Sequence, residues 1–185
     1  MMTAPKAYLA GPDVFLPNAA AQAAAKIAIC ARHGLTGISP FNPGLDLTLP
    51  PAQLWRRIYL DDIAMMQGCD LIIANLTPFR GASADAGTLV ELGWFLGQGR
   101  LVFGYSNSAE DFAARSLAQM AATPDPVPGL EVENFGLVDN LMIQGAVEYG
   151  GGVSLTLPPD GLSRQFDALD VFELCAAEAA RKLRG

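Results

Sequence analysis

One histidine, His33, and three cysteines, Cys30, Cys69 and Cys175, are all this 185-residue sequence offers of the usual metal-binding and redox side chains. The cysteines lie in apolar surroundings without C-x-x-C spacing, as buried thiols in a reducing compartment do. His33 precedes Gly34 at the end of a helical stretch, a terminus position rather than a catalytic one. No G-x-S-x-G, H-E-x-x-H, G-x-x-x-x-G-K or D-x-D pattern occurs, and no G-x-G-x-x-G follows the first strand. Neither a cofactor nor a metal is therefore expected. Charge is scarce as well, 17% of residues with a net of −7, and the cations are scattered or paired. A grip on a nucleic acid polymer needs clustered Lys and Arg, so that ligand is excluded. No apolar run approaches the ~18–20 residues of a membrane span. A strand-like run begins within the first ten residues and no signal peptide is visible, so the expectation is a soluble, cytoplasmic protein with no membrane partner.

What is present is apolar bulk. At 51% hydrophobic, the chain can build one core, and the expectation is a single domain over 1–185 with 150–185 as an extension packing on it. Strands are expected at 6–11, 37–41, 69–76 and 101–105, and helices at 18–33, 51–67, 85–97, 135–148 and 163–183. Loops are expected at the proline-rich stretches 42–51 and 121–130, and Gly150-Gly151-Gly152 reads as a hinge or turn. Cys69 to Leu76 is continuously apolar apart from Asp70 and Asn75, the pattern of a strand covered on both faces. Strands alternating with helices point to an α/β doubly wound parallel sheet, which binds ligands beyond the carboxyl ends of its strands.

Against this background the carboxylates stand out. Glu91 lies in an otherwise apolar helix, where a charge is costly unless paired or used. It reads as a nucleophile, or else as a surface residue or a partner of Arg80. Asp85 opens that helix and fits either an N-cap or an active-site acid; Asp70 fits either a strand-entry residue or an acid. Several acids in one pocket suit cleavage of a glycosidic bond, with one ionised under the anomeric carbon and another protonated at the leaving group.

Four blocks together resemble the nucleoside 2-deoxyribosyltransferases: Tyr8-Leu9-Ala10-Gly11-Pro12 with Asp13 and Phe15, Cys69 to Leu76, Ser83-Ala84-Asp85-Ala86-Gly87-Thr88 with Glu91-Leu92-Gly93, and Phe135-Gly136-Leu137 with Asn140-Leu141-Met142. They span roughly residues 6–145, in the family's order. The resemblance implies a flavodoxin-like (Rossmann-like), three-layer αβα fold and transfer of 2-deoxyribose between nucleobases. It implies Glu91 as nucleophile on C1′, Tyr8 as its positioner, and Asp70 and Asp85 as acids at the base, Asp85 helping to protonate it. Gly11, Asp13, Phe15, Ser83 and Gly87 fall in the substrate-binding blocks. Asn140 and Met142 match residues given to a neighbour's site, which implies a homo-oligomer. The partners so implied are 2′-deoxyribonucleosides and free nucleobases. Relatives that hydrolyse deoxynucleoside monophosphates keep the same acids, with serines around the phosphate, and Arg80 could hold such a group; Asn140 favours nucleosides. The form of the Ser83–Thr88 block looks closer to purine-accepting relatives. The alternatives are an N-glycosidase using the same carboxylates, and a non-catalytic nucleotide-binding module.

Overall fold

The computed structural model describes residues 3–42, 44–45, 48–123 and 125–184. Its sheet has four parallel strands in the order β2-β1-β3-β4: β1 (Lys6–Ala10), β2 (Thr36–Ile38), β3 (Leu71–Asn75) and β4 (Leu101–Tyr105). The helices are α1 (Ala19–Arg32), α2 (Pro51–Gln67), α3 (Ala86–Gly97), α4 (Phe112–Ala122), α5 (Leu141–Gly151) and α6 (Asp170–Arg184). Beyond β4 the chain returns at Thr156 to bridge Tyr105, a rudiment of a fifth strand.

Strand alternation decides which layer each side chain enters. Ala7, Leu9, Leu71, Ile73, Phe103 and Tyr105 face one core with α1 and α6; Tyr8, Ala10, Ile72, Ala74 and Val102 face the other with α3 and α5. This is the expected three-layer αβα arrangement. Because Tyr8 is on the even side, its ring is delivered beneath α3. Gly150 and Gly151, expected as a hinge, belong to α5 and let it press on β4: a Cβ at Gly151 would stand 2.1 Å from the Val102 carbonyl oxygen. Gly152 follows with φ 65 and ends the helix in the left-handed conformation.

Several expected boundaries move. Helix α5 starts at 141, not 135, because Gly136 has φ 67 and Asn140 forms the N-cap. Helix α6 starts at 170, not 163, and the strand expected at 37–41 is Thr36–Ile38. Helix α4 is additional to the expected elements; Asp111 caps it, accepting from the Ala114 N–H at 3.1 Å. The expected loop 42–51 lies partly outside the described residues, and Pro51 already opens α2. Among the described residues no helix is long and apolar enough to cross a membrane.

Candidate active site

A cavity of about 840 Å³ opens beyond the carboxyl ends of the strands, where parallel sheets place their ligands. Three walls form it. Gly11, Val14 and Phe15 follow β1; Pro40, Phe41 and Asn42 follow β2; Asp85, Gly87, Thr88 and Glu91 come from the start of α3. Helix α2 closes the far side with Ile58, Asp61, Asp62 and Met65. Apolar rings and aliphatics on one side with acids on the other suit a flat heterocycle attached to a polyol.

Glu91 is half-buried, one and a half turns into α3, over the sheet face that carries Tyr8. The Tyr8 hydroxyl donates to Glu91 Oε1 at 2.7 Å, and Oε2 has no protein partner among the described residues. Burial raises the Glu91 carboxyl to about 7; the hydrogen bond from Tyr8 opposes this, while the neighbouring charges of Asp62 and Asp85 add to it. Tyr8 is fully buried, and desolvation with the adjacent Glu91 charge pushes its phenol well above its ordinary range, so it remains a donor. The alternative of a Glu91–Arg80 ion pair does not occur: the Arg80 guanidinium lies over the rings of Phe79 and Phe15, at 4.6 and 5.2 Å.

Asp85 forms the expected N-cap and also stands at the cavity. Its Oδ2 accepts from the Thr88 N–H at 3.0 Å and hydroxyl at 3.1 Å, capping α3, and the residue also lines the cavity. Gly11, Phe15 and Gly87 line it too. Gly11 is required there: at φ 154 its Cβ would fall 2.5 Å from Asp13 Oδ2 and 2.7 Å from Asn75 Cβ.

Asp70 must be corrected. It precedes β3 at the amino end of the sheet, is exposed, and accepts from the Lys6 backbone N–H at 2.8 Å. A strand's length separates it from the cavity, so the strand-entry reading is the one its position supports. Asp62 occupies the place at the cavity that sequence reasoning missed. Burial, reinforced by the charge of Asp61, lifts its carboxyl to about 6. Asp61 itself accepts from Arg57 one helical turn earlier, whereas Asp62 has no ion pair or hydrogen bond among the described residues. A half-buried, unpaired acid at the carboxyl ends of strands is what a proton donor requires.

The remaining sequence candidates lie elsewhere. Asp13 sits behind Gly11, bonded to the buried Lys26 Nζ at 2.6 Å and to Asn75 Nδ2 at 3.2 Å, and supports the wall rather than lining it. Ser83 and Asn140 border a second, polar hollow of about 470 Å³ with Glu133 and Gln119. Met142 is 72% exposed on the outer surface of α5. His33 caps α1, with Nε2 3.3 Å from Glu173. Among the described residues no group of three or more His, Cys, Asp or Glu is disposed to hold a metal ion.

The sequence pattern of the nucleoside 2-deoxyribosyltransferases matches residues 7–142, which include Tyr8, Asp62, Asp85 and Glu91. The chain belongs to that family. Its backbone resembles that of a 2-deoxyribosyltransferase from Leishmania mexicana, with a TM-score of 0.65, 28% identity, and 96% of this chain and 97% of that one covered. A conserved protein of Enterococcus faecalis shares the fold at a TM-score of 0.53 and 22% identity, over 80% of this chain and 88% of that one. An uncharacterized protein of Schizosaccharomyces pombe is 31% identical over 167 residues, 80% of this chain and 79% of its own length. The Leishmania match runs past the family pattern, so the region carrying α6 has a counterpart in a member of this deoxyribosyltransferase group.

Proposed function

We propose that this protein exchanges nucleobases on 2′-deoxyribonucleosides through a deoxyribosyl ester on Glu91. The observation that carries this reading is the Glu91 carboxylate held by Tyr8, with one oxygen unpartnered among the described residues, in a cavity whose other acids include the protonatable Asp62. In the first half, Glu91 Oε2 bonds to C1′ as the C1′–N bond breaks. The electron pair leaves on the base nitrogen, and Asp62 supplies the proton that neutralises it. In the second half, a nitrogen of the incoming base attacks C1′, its proton passes to Asp62, and the Glu91 carboxylate is released. Tyr8 fixes the orientation of Glu91, and Asp85, lining the same cavity, is the second acid offered to the base.

We further propose a site shared between subunits, as the resemblance of Asn140 and Met142 implies. Asn140 and Met142 do not line their own chain's cavity, and Met142 is exposed, so contact with a deoxyribose would have to come from a second copy. The assay is incubation with deoxyinosine and free adenine. Deoxyadenosine accompanied by hypoxanthine is the expected result. Hypoxanthine with free deoxyribose would make water the acceptor and the protein a hydrolase. Saturable nucleoside binding with no product would leave a binding module.

A further inference from the structure

Beside the candidate active site lies a polar staple to which the proposed chemistry gives no part. Asp139 is 1% exposed. Its Oδ1 accepts from the Ser83 hydroxyl at 2.5 Å and from the Asn140 backbone N–H at 2.8 Å, and its Oδ2 accepts from the Ala84 N–H at 3.0 Å. Arg115, reaching from α4, spans the same two segments: Nε donates to the Ala82 carbonyl at 2.9 Å and a terminal nitrogen donates to the Val138 carbonyl. Its other terminal nitrogen holds the Glu110 carbonyl. Residues 82–84 and 138–140 are thus fastened by one buried anion and one partly buried cation that bond to backbone and hydroxyl, not to each other. A carboxylate taken out of water is stable only with its oxygens filled, so the three donors around Asp139 are held to a definite geometry.

The consequence falls on the residue next in the chain. Asp85 follows Ala84 directly, caps α3 and lines the cavity. The Asp85 carboxylate is tied on one side to Thr88 of α3, and with the Ser83 hydroxyl and the Ala84 amide pinned the backbone entering it is held on the other, which leaves few dihedrals through which it can turn relative to Glu91. Loop residues without such ties drift by more than the fraction of an ångström that catalysis tolerates. We propose that Asp139 is a positioning residue, setting where the Asp85 carboxylate stands relative to Glu91 by fixing the Ser83–Ala84 backbone. The inference rests on the transferase reading for its effect on rate, and on the staple alone for its effect on geometry. Because Asn140 follows Asp139 and caps α5, the same bonds join the loop of one site to the segment offered to a neighbour's.

The test is a double-mutant cycle. Asp139→Asn keeps the shape but replaces one accepting oxygen with an amide nitrogen that cannot accept from Ala84 or Ser83. In base exchange, kcat is expected to fall at least about tenfold with KM changed less than about threefold. In an Asp85→Ala background the same substitution is expected to change kcat by less than about twofold, because the residue it acts through is gone. Additive losses in the double variant, or full kcat in the folded single variant, overturn the proposal. Ser83→Ala removes one bond without unbalancing a buried charge; a loss of about threefold, again absent without Asp85, is expected and decides the matter if Asp139→Asn does not fold. A second readout needs no turnover: carboxyl-carbon NMR titration of Glu91. Asp85 helps raise the Glu91 carboxyl, so Asp85→Ala is expected to lower it and Asp139→Asn to shift it only while Asp85 is present; an unchanged titration in Asp139→Asn, or a shift that persists in the Asp85→Ala background, overturns the positioning role. If the wild-type protein exchanges no bases, the transferase reading falls, and this titration still decides the role of Asp139.

Discussion

Asp13 and Glu91 both lie near the carboxyl end of β1, yet one faces a lysine and the other faces two more acids. Asp13 receives Lys26 at 2.6 Å and Asn75 at 3.2 and 3.3 Å, and Lys26 is itself enclosed against Tyr105 and Phe172. Glu91 receives one neutral donor, Tyr8, and the charges of Asp62 and Asp85. The first arrangement neutralises a buried charge and locks the turn after β1. The second leaves a carboxylate uncompensated, a state that costs stability and is worth keeping only where charge is going to develop nearby. In the reaction proposed above, that charge develops on an oxocarbenium-like deoxyribose.

Removing each carboxylate's function sharpens this contrast. Glu91→Ala should fold normally and lose base exchange by at least about 10³-fold, measured as kcat/KM; retained turnover would remove the nucleophile from the scheme. Asp62→Asn is expected to cost about 10²-fold, while Asp70→Asn, at the far end of β3, should leave the rate within about twofold. On the paired side, Lys26→Met strands Asp13 without its cation. It should lower stability by about 3–5 kcal/mol in urea denaturation, with the loss of activity following unfolding.

The smallest effect is the most diagnostic. In the folded protein Glu91 sits near 7, above its ordinary value of 4.5, so the native state holds its proton more tightly than the unfolded chain. Its contribution to stability is therefore fully present below about pH 4.5 and is lost as pH rises through about 7. Glu91→Gln should accordingly be more stable than wild type at pH 8, by roughly 3 kcal/mol at most, and show no such gain at pH 4. Catalysis needs Glu91 ionised and Asp62 protonated together, so kcat/KM should pass through a maximum between about pH 6 and 7 and fall on both sides, and a plateau extending above pH 7 would remove Asp62 as the proton donor.

The sequence made some of this contrast visible and hid the rest. Glu91 was conspicuous because its neighbours on α3 are apolar, and Tyr8 and Asp85 stood in short blocks whose local order survives folding. Asp62 had no comparable signal. It is the second of two consecutive acids on a helix where, among the buried residues, only Met66 appears, so its sequence context reads as solvated surface. Only tertiary placement reveals that α2 passes the carboxyl ends of the strands before its C-terminus is tied at the amino edge of the sheet, where Arg100 donates to the Met66 and Cys69 carbonyls at 2.8 and 2.6 Å. Asp70 failed for the mirror reason: an acid beside an apolar strand looks buried, but which end of the strand faces the ligand is a property of the sheet. The Asp13–Lys26 pair was equally hidden, since thirteen positions along the chain separate its members.

The rudimentary fifth strand bears on how copies of this chain can meet. An open sheet advertises unpaired backbone at its two borders, and those borders invite lateral growth into ribbons and fibres. Here one border is β2, three residues long, and at the other the Ser106 amide donates to the Thr156 carbonyl while the Thr156 amide donates to Gly104. Neither offers a long, flat template for another strand. Any contact between copies is thereby left to helices and loops, surfaces that can be made selective one side chain at a time.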